Sequence, residues 1–439
     1  MPGNNTGVSR SSPIQHVGWL SRPQLIVLIW VAVAIAVVVM AHAAPIGQDA
    51  GVYWKAIQSL RSGSDPYAES IAALHAYHDQ LALNATSHLP YTYAYPYVYS
   101  PVTLPLLRLL EVFPGWFLGA IYAAAVATGA LLQLWAGFQM ADEDERRWLA
   151  LVLPVILFFP GLIINRVILA GNVAYILYGV ILAAAVPGWK RNRWFWYYIT
   201  LLVASIFKVP YLMLLAFPVL VGRRQWIPSC VTTGMGALIF AAQSRLWPDM
   251  FHEWVLTLRL LFDWQQDSGY APAGMLGRTL WSYGLPYSPI TPILHVVFAC
   301  VLGIVLLLFA RCVCEWNLPQ ETWIPVALVG TLLLNPRLMK YDLAAITVPM
   351  LLIGWRTLRL ALDRSSGGRP TGRETGRGPK SSDQMAIIVG TGCLLILNAI
   401  TVIAPRWSDV PVKFAVLLVI FAMGVWSLER LCVELRPQN

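Results

Sequence analysis

Charge is what this chain has least of. Only 12% of its 439 residues are Asp, Glu, Lys or Arg, about half the roughly 25% of an ordinary soluble domain. In its place stand 57% apolar residues and a mean hydropathy of +0.60. That excludes a soluble multidomain protein and implies one integral membrane domain, residues 1–439. Acids are the scarcer sign, 22 against 31 bases, a net charge of +9. No basic–aromatic nucleic-acid module accompanies the excess, so nucleic acid is not an expected partner. In a membrane chain such an excess belongs to the loops on the cytoplasmic side. Cysteine is sparse too: Cys230, Cys300, Cys312, Cys314, Cys393 and Cys432. Only Cys312 and Cys314 lie close together, and two thiols do not make a zinc site. Free thiols, no metal and no cofactor are expected.

Long apolar runs are what the sequence does have. The first, 24–46, exceeds the roughly 20 residues that cross a bilayer and is too long for a signal-peptide core of about 7–15. Further runs lie at 114–140, 148–164, 167–187, 194–207, 210–221, 226–243, 291–310, 321–335, 343–360, 385–404 and 413–429. About twelve spans are expected, with 10–13 as the range. The runs at 194–207 and 210–221 read either as two short spans or as one helix broken near Lys208 and Pro210. Alternating sides puts 19 Lys and Arg with the N-terminus and 12 opposite. The positive-inside rule then makes both termini cytoplasmic. Residues 1–23 form the N-terminal tail, 24–360 the core and 385–429 a final helix pair. A flexible basic linker, 361–384, is rich in Gly, Ser and Arg. A bacterial plasma-membrane protein is the expectation.

Two long polar segments, 47–113 and 244–290, fall outside, with amphipathic stretches suited to the interface. In 50–62, Val52, Tyr53, Ala56, Ile57 and Leu60 share one helical face, opposite Lys55, Gln58, Ser59 and Arg61. Gly63 is the expected stop. Tyr91, Tyr93, Tyr95, Tyr97 and Tyr99 alternate between prolines that argue against a regular strand. They read as interfacial anchors or as the lining of a sugar or lipid groove.

Placing the charges on this topology brings several segments to one level, at the outer membrane face. Asp49 ends the first span. Asn165 and Arg166 occupy a tiny outer turn, Lys208 the break at 208–210, and Arg337, Lys340 and Asp342 the turn "NPRLMKYD" (335–342). Such groups are costly near hydrocarbon and usually line a cavity or pair with one another. Asp49 also sits where a helix N-cap would, and Arg166 is placed to snorkel. Asn172, after Gly171, suits a helix–helix contact. A surplus of cations beside Asp342 suits an anionic group such as a lipid phosphate.

With these residues in view the chain resembles glycosyltransferase family 87, polytopic enzymes of the GT-C type. The pieces that carry the resemblance are "DAGVYWKAIQSLRSGSDPY" after the first span, "YVYSPVTLPLL" (97–107), "LAGNVAYILYGVILAAA" (169–185), "FKVPYLML" (207–214) and "NPRLMKYDL" (335–343). Their order matches over roughly residues 20–360. The resemblance implies an all-α GT-C fold and inverting transfer of a sugar, mannose or arabinofuranose, from a polyprenyl-phosphate donor to a lipid or glycan hydroxyl at the outer face. It makes Asp49 the catalytic base. The shared outer level and the surplus of cations assign Lys208, Arg337, Lys340 and Arg166 to the donor phosphate, with Tyr53, Tyr99, Asn172, Tyr341 and Asp342 as candidate substrate contacts. Relatives often carry Gln where Asn172 stands, and some carry a His-containing segment at "NPRLMKYD". A secondary transporter or lipid flippase is the competing reading, but it would place polar groups near the midplane, between repeats.

Overall fold

The computed structural model describes residues 47–87, 95–158, 170–265, 269–282, 290–316, 318–365 and 405–434, with a few isolated positions besides. The expected spans at 24–46 and 385–404, most of the 361–384 linker, Asn165, Arg166, Tyr91 and Tyr93 lie outside those residues. Among the described residues every regular element is helical.

Helix α1, Gln48–Arg61, begins a helical layer over one end of the bundle, the outer layer by the expected topology. Its apolar face is the expected one. Ala56 and Ile57 are buried, Val52, Tyr53 and Leu60 pack beside them, and Lys55, Gln58 and Arg61 are exposed. Ser59 departs from the expected polar face: it is buried and donates to Glu69 Oε2 at 2.6 Å. The helix ends as expected at Gly63, which has φ 75°. Ser64 N–H reaches Ser59 O at 2.8 Å and Gly63 N–H reaches Leu60 O at 3.1 Å, the paired bonds of a Schellman stop. Helix α2, Pro66–Ser87, follows at once. Asp65 accepts from Tyr67 N–H at 2.8 Å, and Pro66 takes the first helical position, where a missing N–H costs nothing. Residues 95–99 are extended without a ladder. Tyr97 and Tyr99 are buried while Tyr95 is exposed. The short helix α3, Leu104–Leu110, leaves Leu106, Leu109 and Leu110 exposed beside Val112, Phe113 and Trp116, as an interfacial helix should.

The bundle starts with α4, Gly115–Phe138, and α5, Glu143–Phe158. Helix α6, Ala174–Arg191, runs parallel to α4 and packs on it more extensively than any other described pair. Glycine makes this possible. A Cβ at Gly179 would lie 2.4 Å from Gly129 O, and one at Gly129 would lie 2.4 Å from Tyr175 O. Small residues admit this backbone approach in membrane helices. Next, α7, Phe195–Phe207, stops at Lys208, whose backbone is extended. A 3₁₀ stretch, Val209–Leu215, and α8, Ala216–Val221, then double back along it. Tyr197 O–H donates to Leu214 O at 2.7 Å. The break is therefore the tip of a tight hairpin, which rules out the single broken helix. Helix α9 is Trp226–Leu246.

Helix α10, Pro248–Leu260, returns to the outer layer and lies on α2. Its Trp254 indole donates to Val98 O at 3.0 Å, so the two long polar segments share one layer. After a π turn, Leu261–Gln265, come α11, Pro272–Ser282, and α12, Ile290–Trp316. Helix α13, Gln320–Leu333, leads to a 3₁₀ turn, Asp342–Ile346, that feeds α14, Thr347–Ser365. The last helix, α15, Pro405–Glu434, packs on α13 and α14. Gly424 lets Val326 approach, and Phe421 fills the space beside Gly330. Residues 115–138, 290–316 and 342–362 are long and apolar enough to cross a membrane, and 101–110, 195–207 and 209–221 are shorter apolar helices. The protein is thus a helical membrane protein with three helices of spanning length among the described residues.

Candidate functional site

Asp49 is not the N-cap of α1. Gly47 holds that position, with φ 72°, and no side chain caps the helix. The left-handed turn that a glycine accepts starts the helix two residues before the aspartate. Gly171, also left-handed at φ 70°, faces the same turn: a Cβ there would lie 3.5 Å from Ala50 Cβ and 3.9 Å from Gly47 Cα. Asp49 therefore sits in the first turn, where the helix dipole favours a negative charge, with its carboxylate turned toward the bundle.

Its partner there is Asn172, whose Nδ2 donates to Asp49 Oδ2 at 2.9 Å. The amide has little choice of orientation, because its Oδ1 accepts Ala174 N–H at 2.9 Å. A carboxylate offers about four lone-pair sites, so one amide contact orients it without exhausting it. The segment carrying Asn172 is itself tied down: Tyr122 O–H donates to Gly171 O at 2.7 Å.

Tyrosines wall the carboxylate. The Tyr53 ring lies 5.0 Å from Tyr99 and 5.8 Å from Tyr122, and the hydroxyl of Tyr53 donates to that of Tyr99. Burial pushes the Tyr99 hydroxyl well above the usual tyrosine range. Its bond to Tyr53 and the charge of Arg337 oppose that rise, and the charge of Asp49 adds to it. Burial raises Tyr53 as well. Both are neutral hydroxyls at physiological pH. Tyr67 O–H donates to Tyr99 O at 2.5 Å, and Ser100 O–H donates to Ile206 O at 2.5 Å. The outer layer is thereby joined to the hairpin two residues before Lys208.

The cations converge from the other side. Lys208 Nζ lies 3.8 Å from the centroid of the Tyr341 ring. Asp342 is buried, accepts Met339 N–H at 2.8 Å and bonds the Tyr178 hydroxyl. Lys208 and Arg337 both act on its charge. Arg337 also lies over Phe262, 5.5 Å from its centroid, and Asn335 Oδ1 accepts Arg337 N–H at 3.0 Å. Lys340 is exposed. Arg337 and Asp49 meet electrostatically at Tyr99, and Tyr175 senses both Asp49 and Asp342. Asp49, Lys208, Arg337 and Asp342 are thus linked electrostatically through shared tyrosines, with Asn172, Tyr53, Tyr99 and Tyr341 beside them.

No family model matches the chain, nor does any characterised protein or solved structure. The arrangement must be read from its own geometry.

Three features of the site had no clear sequence signal. Tyr175 and Tyr211 bury their hydroxyls without a hydrogen-bond partner among the described residues, next to Asp49 and Asp342. Tyr178 anchors Asp342. Lys413, at the start of α15, is 2% exposed, and its ammonium donates to Tyr270 O–H at 3.2 Å. Tyr270 N–H in turn reaches Leu338 O at 2.6 Å. The final helix therefore braces the loop that carries Arg337 and Asp342.

Proposed function

We propose that the protein is an inverting membrane glycosyltransferase of the GT-C type. It moves a sugar, mannose or arabinofuranose, from a polyprenyl-phosphate donor to a lipid or glycan hydroxyl at the outer face of a bacterial plasma membrane. The observation that carries this reading is the Asp49–Asn172 contact at 2.9 Å, linked through Tyr99 and Tyr175 to Arg337 and to Asp342, on which Lys208 and Arg337 act. Sugar transfer from a lipid phosphate needs a base and a cationic binding group on opposite sides of the anomeric carbon. In this reading the twelve-span topology places both at the level where a lipid headgroup stands.

Asp49 takes the proton of the acceptor hydroxyl as its oxygen bonds the anomeric carbon. The bond from that carbon to the phosphate oxygen breaks, and its electron pair leaves with the phosphate. Lys208 and Arg337 stabilise the charge growing there, and Asp342 holds the two cations in place. Arg166 and Lys340 are assigned to the outer approach of the phosphate. The neutral hydroxyl of Tyr99, held by the one Tyr53 donates to it, donates to the sugar.

Asp49→Asn tests this directly. The amide keeps size and position but cannot accept the proton. Turnover with a purified polyprenyl-phosphate sugar should fall by about 10²-fold or more, with the thermal melt in detergent near wild type. Near-normal turnover of the variant would sink the base assignment.

A further inference from the structure

On the face of α1 next to Asp49 the outer layer holds a cavity of about 380 Å³. Helices α1 and α2 and the extended Tyr95–Tyr97 stretch line it, and it is open to one side. Its volume is at the lower end of the roughly 300–1,000 Å³ of ligand sites. Its chemistry differs from that of the site just described. Lys55 and Glu69 bring one charge of each sign, Ser59 and Gln80 add a hydroxyl and an amide, and Tyr77 and Tyr95 add aromatic surface. The charges balance, so the cavity has no preference for a phosphate. The lining is too polar for a lipid chain. A neutral, hydroxyl-rich ligand satisfies it: hydroxyls exchange hydrogen bonds with the carboxylate, amide and Ser59, and a sugar's apolar C–H face lies against tyrosine. Ser59 is already fixed by its 2.6 Å bond to Glu69, and Ser70 is fixed by Tyr97 N–H at 2.8 Å. The polar groups at the cavity floor are therefore pre-set.

Position ties this cavity to Asp49. Asp49, Val52, Ala56 and Ser59 stand at i, i+3, i+7 and i+10 of α1 and form one stripe. Val52, Ala56 and Ser59 line the cavity. At a rise of about 1.5 Å per residue the cavity begins about 5 Å from Asp49 along the helix and ends about 15 Å away. We infer that this cavity is the docking subsite for a neutral acceptor glycan, holding the sugars behind the one whose hydroxyl is presented to Asp49. The inference rests on the transferase reading for its role, but not for the binding it describes.

The test is ligand-observed NMR on the full chain in nanodiscs. The neutral probes are methyl glycosides of a mannose disaccharide and an arabinofuranose disaccharide; dodecyl phosphate is the anionic probe. Saturation transfer to at least one disaccharide is expected. Ala73→Trp, which fills the cavity from an exposed position of α2, should weaken it at least tenfold. Tyr95→Ala and Gln80→Ala should weaken it severalfold, and both positions are exposed, which keeps the test open if the tryptophan variant does not fold. Dodecyl phosphate should not displace the sugar. Absence of disaccharide binding to the wild type, unchanged binding in all three variants, or displacement by dodecyl phosphate would each overturn the inference. Asp49-dependent transfer without disaccharide binding would remove the subsite and leave the transferase standing. Cavity-dependent binding with no transfer would do the reverse.

Discussion

The two ends of the bundle handle charge in opposite ways. At one end Arg356 and Glu145 form a fork-to-fork pair, with Nε to Oε1 and one terminal nitrogen to Oε2, both at 2.7 Å. The guanidinium also donates to Glu321 O, Thr322 O and Met140 O. Glu145 Oε2 additionally accepts Asp142 N–H at 3.0 Å, and Asp142 Oδ1 accepts Glu145 N–H at 2.7 Å, a reciprocal cap on α5. These bonds close inside the protein and tie α4, α5, α13 and α14 together. At the other end Lys208 lies on the Tyr341 ring, Asn172 holds Asp49, and Lys208 and Arg337 act on Asp342. Two buried tyrosine hydroxyls there lack a partner among the described residues. Saturation marks a structural joint. Cations and carboxylates gathered among tyrosines, two of them with buried hydroxyls unbonded among the described residues, suit a place for something else to enter.

Substitutions at each end sharpen the contrast. Arg356→Ala leaves Glu145, whose side chain is 4% exposed, without its partner. Removing one member of a buried pair costs about 3–5 kcal/mol, read as a large drop in melting temperature in detergent. A near-wild-type melt would erase the difference between the two ends. Lys208→Ala should cost the melt less than Arg356→Ala, because Arg337, the Met339 N–H and the Tyr178 hydroxyl still face Asp342. It removes a charged contact of about 1.5–3 kcal/mol, which should raise the KM for a polyprenyl-phosphate donor about 10- to 100-fold. Unchanged donor kinetics in both Lys208→Ala and Arg337→Ala would withdraw the phosphate assignment.

A smaller effect separates the outer layer from both ends. Glu253 on α10 is raised to about 7, first through a proton shared with Asp65 at the start of α2, then through burial and the charges of Asp65 and Asp249. The folded state thus binds a proton more tightly than the unfolded chain. This contribution to stability is full below about 4.5, the ordinary value for the group, and is lost as pH rises through about 7. Melts of the wild type should show a modest decline in stability between pH 5 and pH 8, and Glu253→Gln should flatten it. An identical slope in the variant would place the titration elsewhere.

How much of this was legible in the sequence follows from the range of the interactions. Helical periodicity is local, so the buried face of α1 and the stop at Gly63 could be read directly, as could the break at Lys208. Asp49 invited the reading of a cap because Asp favours that position. The left-handed turn at Gly47 moved the helix start, and a backbone dihedral leaves only a weak trace in residue type. The Asp49–Asn172 pair spans 123 positions and the Arg356–Glu145 pair 211, and no periodicity encodes such distances. Asn172 was visible as a polar residue among apolar ones, but its partner was not. Lys413 was hidden differently: it lies beyond a basic linker that made the last helix look like an appendage, whereas α15 is core.

The hairpin at Lys208 also bears on the membrane around it. Helix α7 has 13 residues, about 20 Å at a rise of 1.5 Å per residue, against a hydrocarbon core of about 30 Å. A hydrophobic element that is too short draws the surrounding lipid inward, at a fraction of a kcal/mol per ångström of mismatch. One response to such a mismatch is a thinner bilayer beside α7, which would lower the headgroups there toward Lys208. In the proposed reaction this sets the depth at which a donor phosphate meets Lys208, and lengthening the acyl chains of the host bilayer should make that meeting costlier.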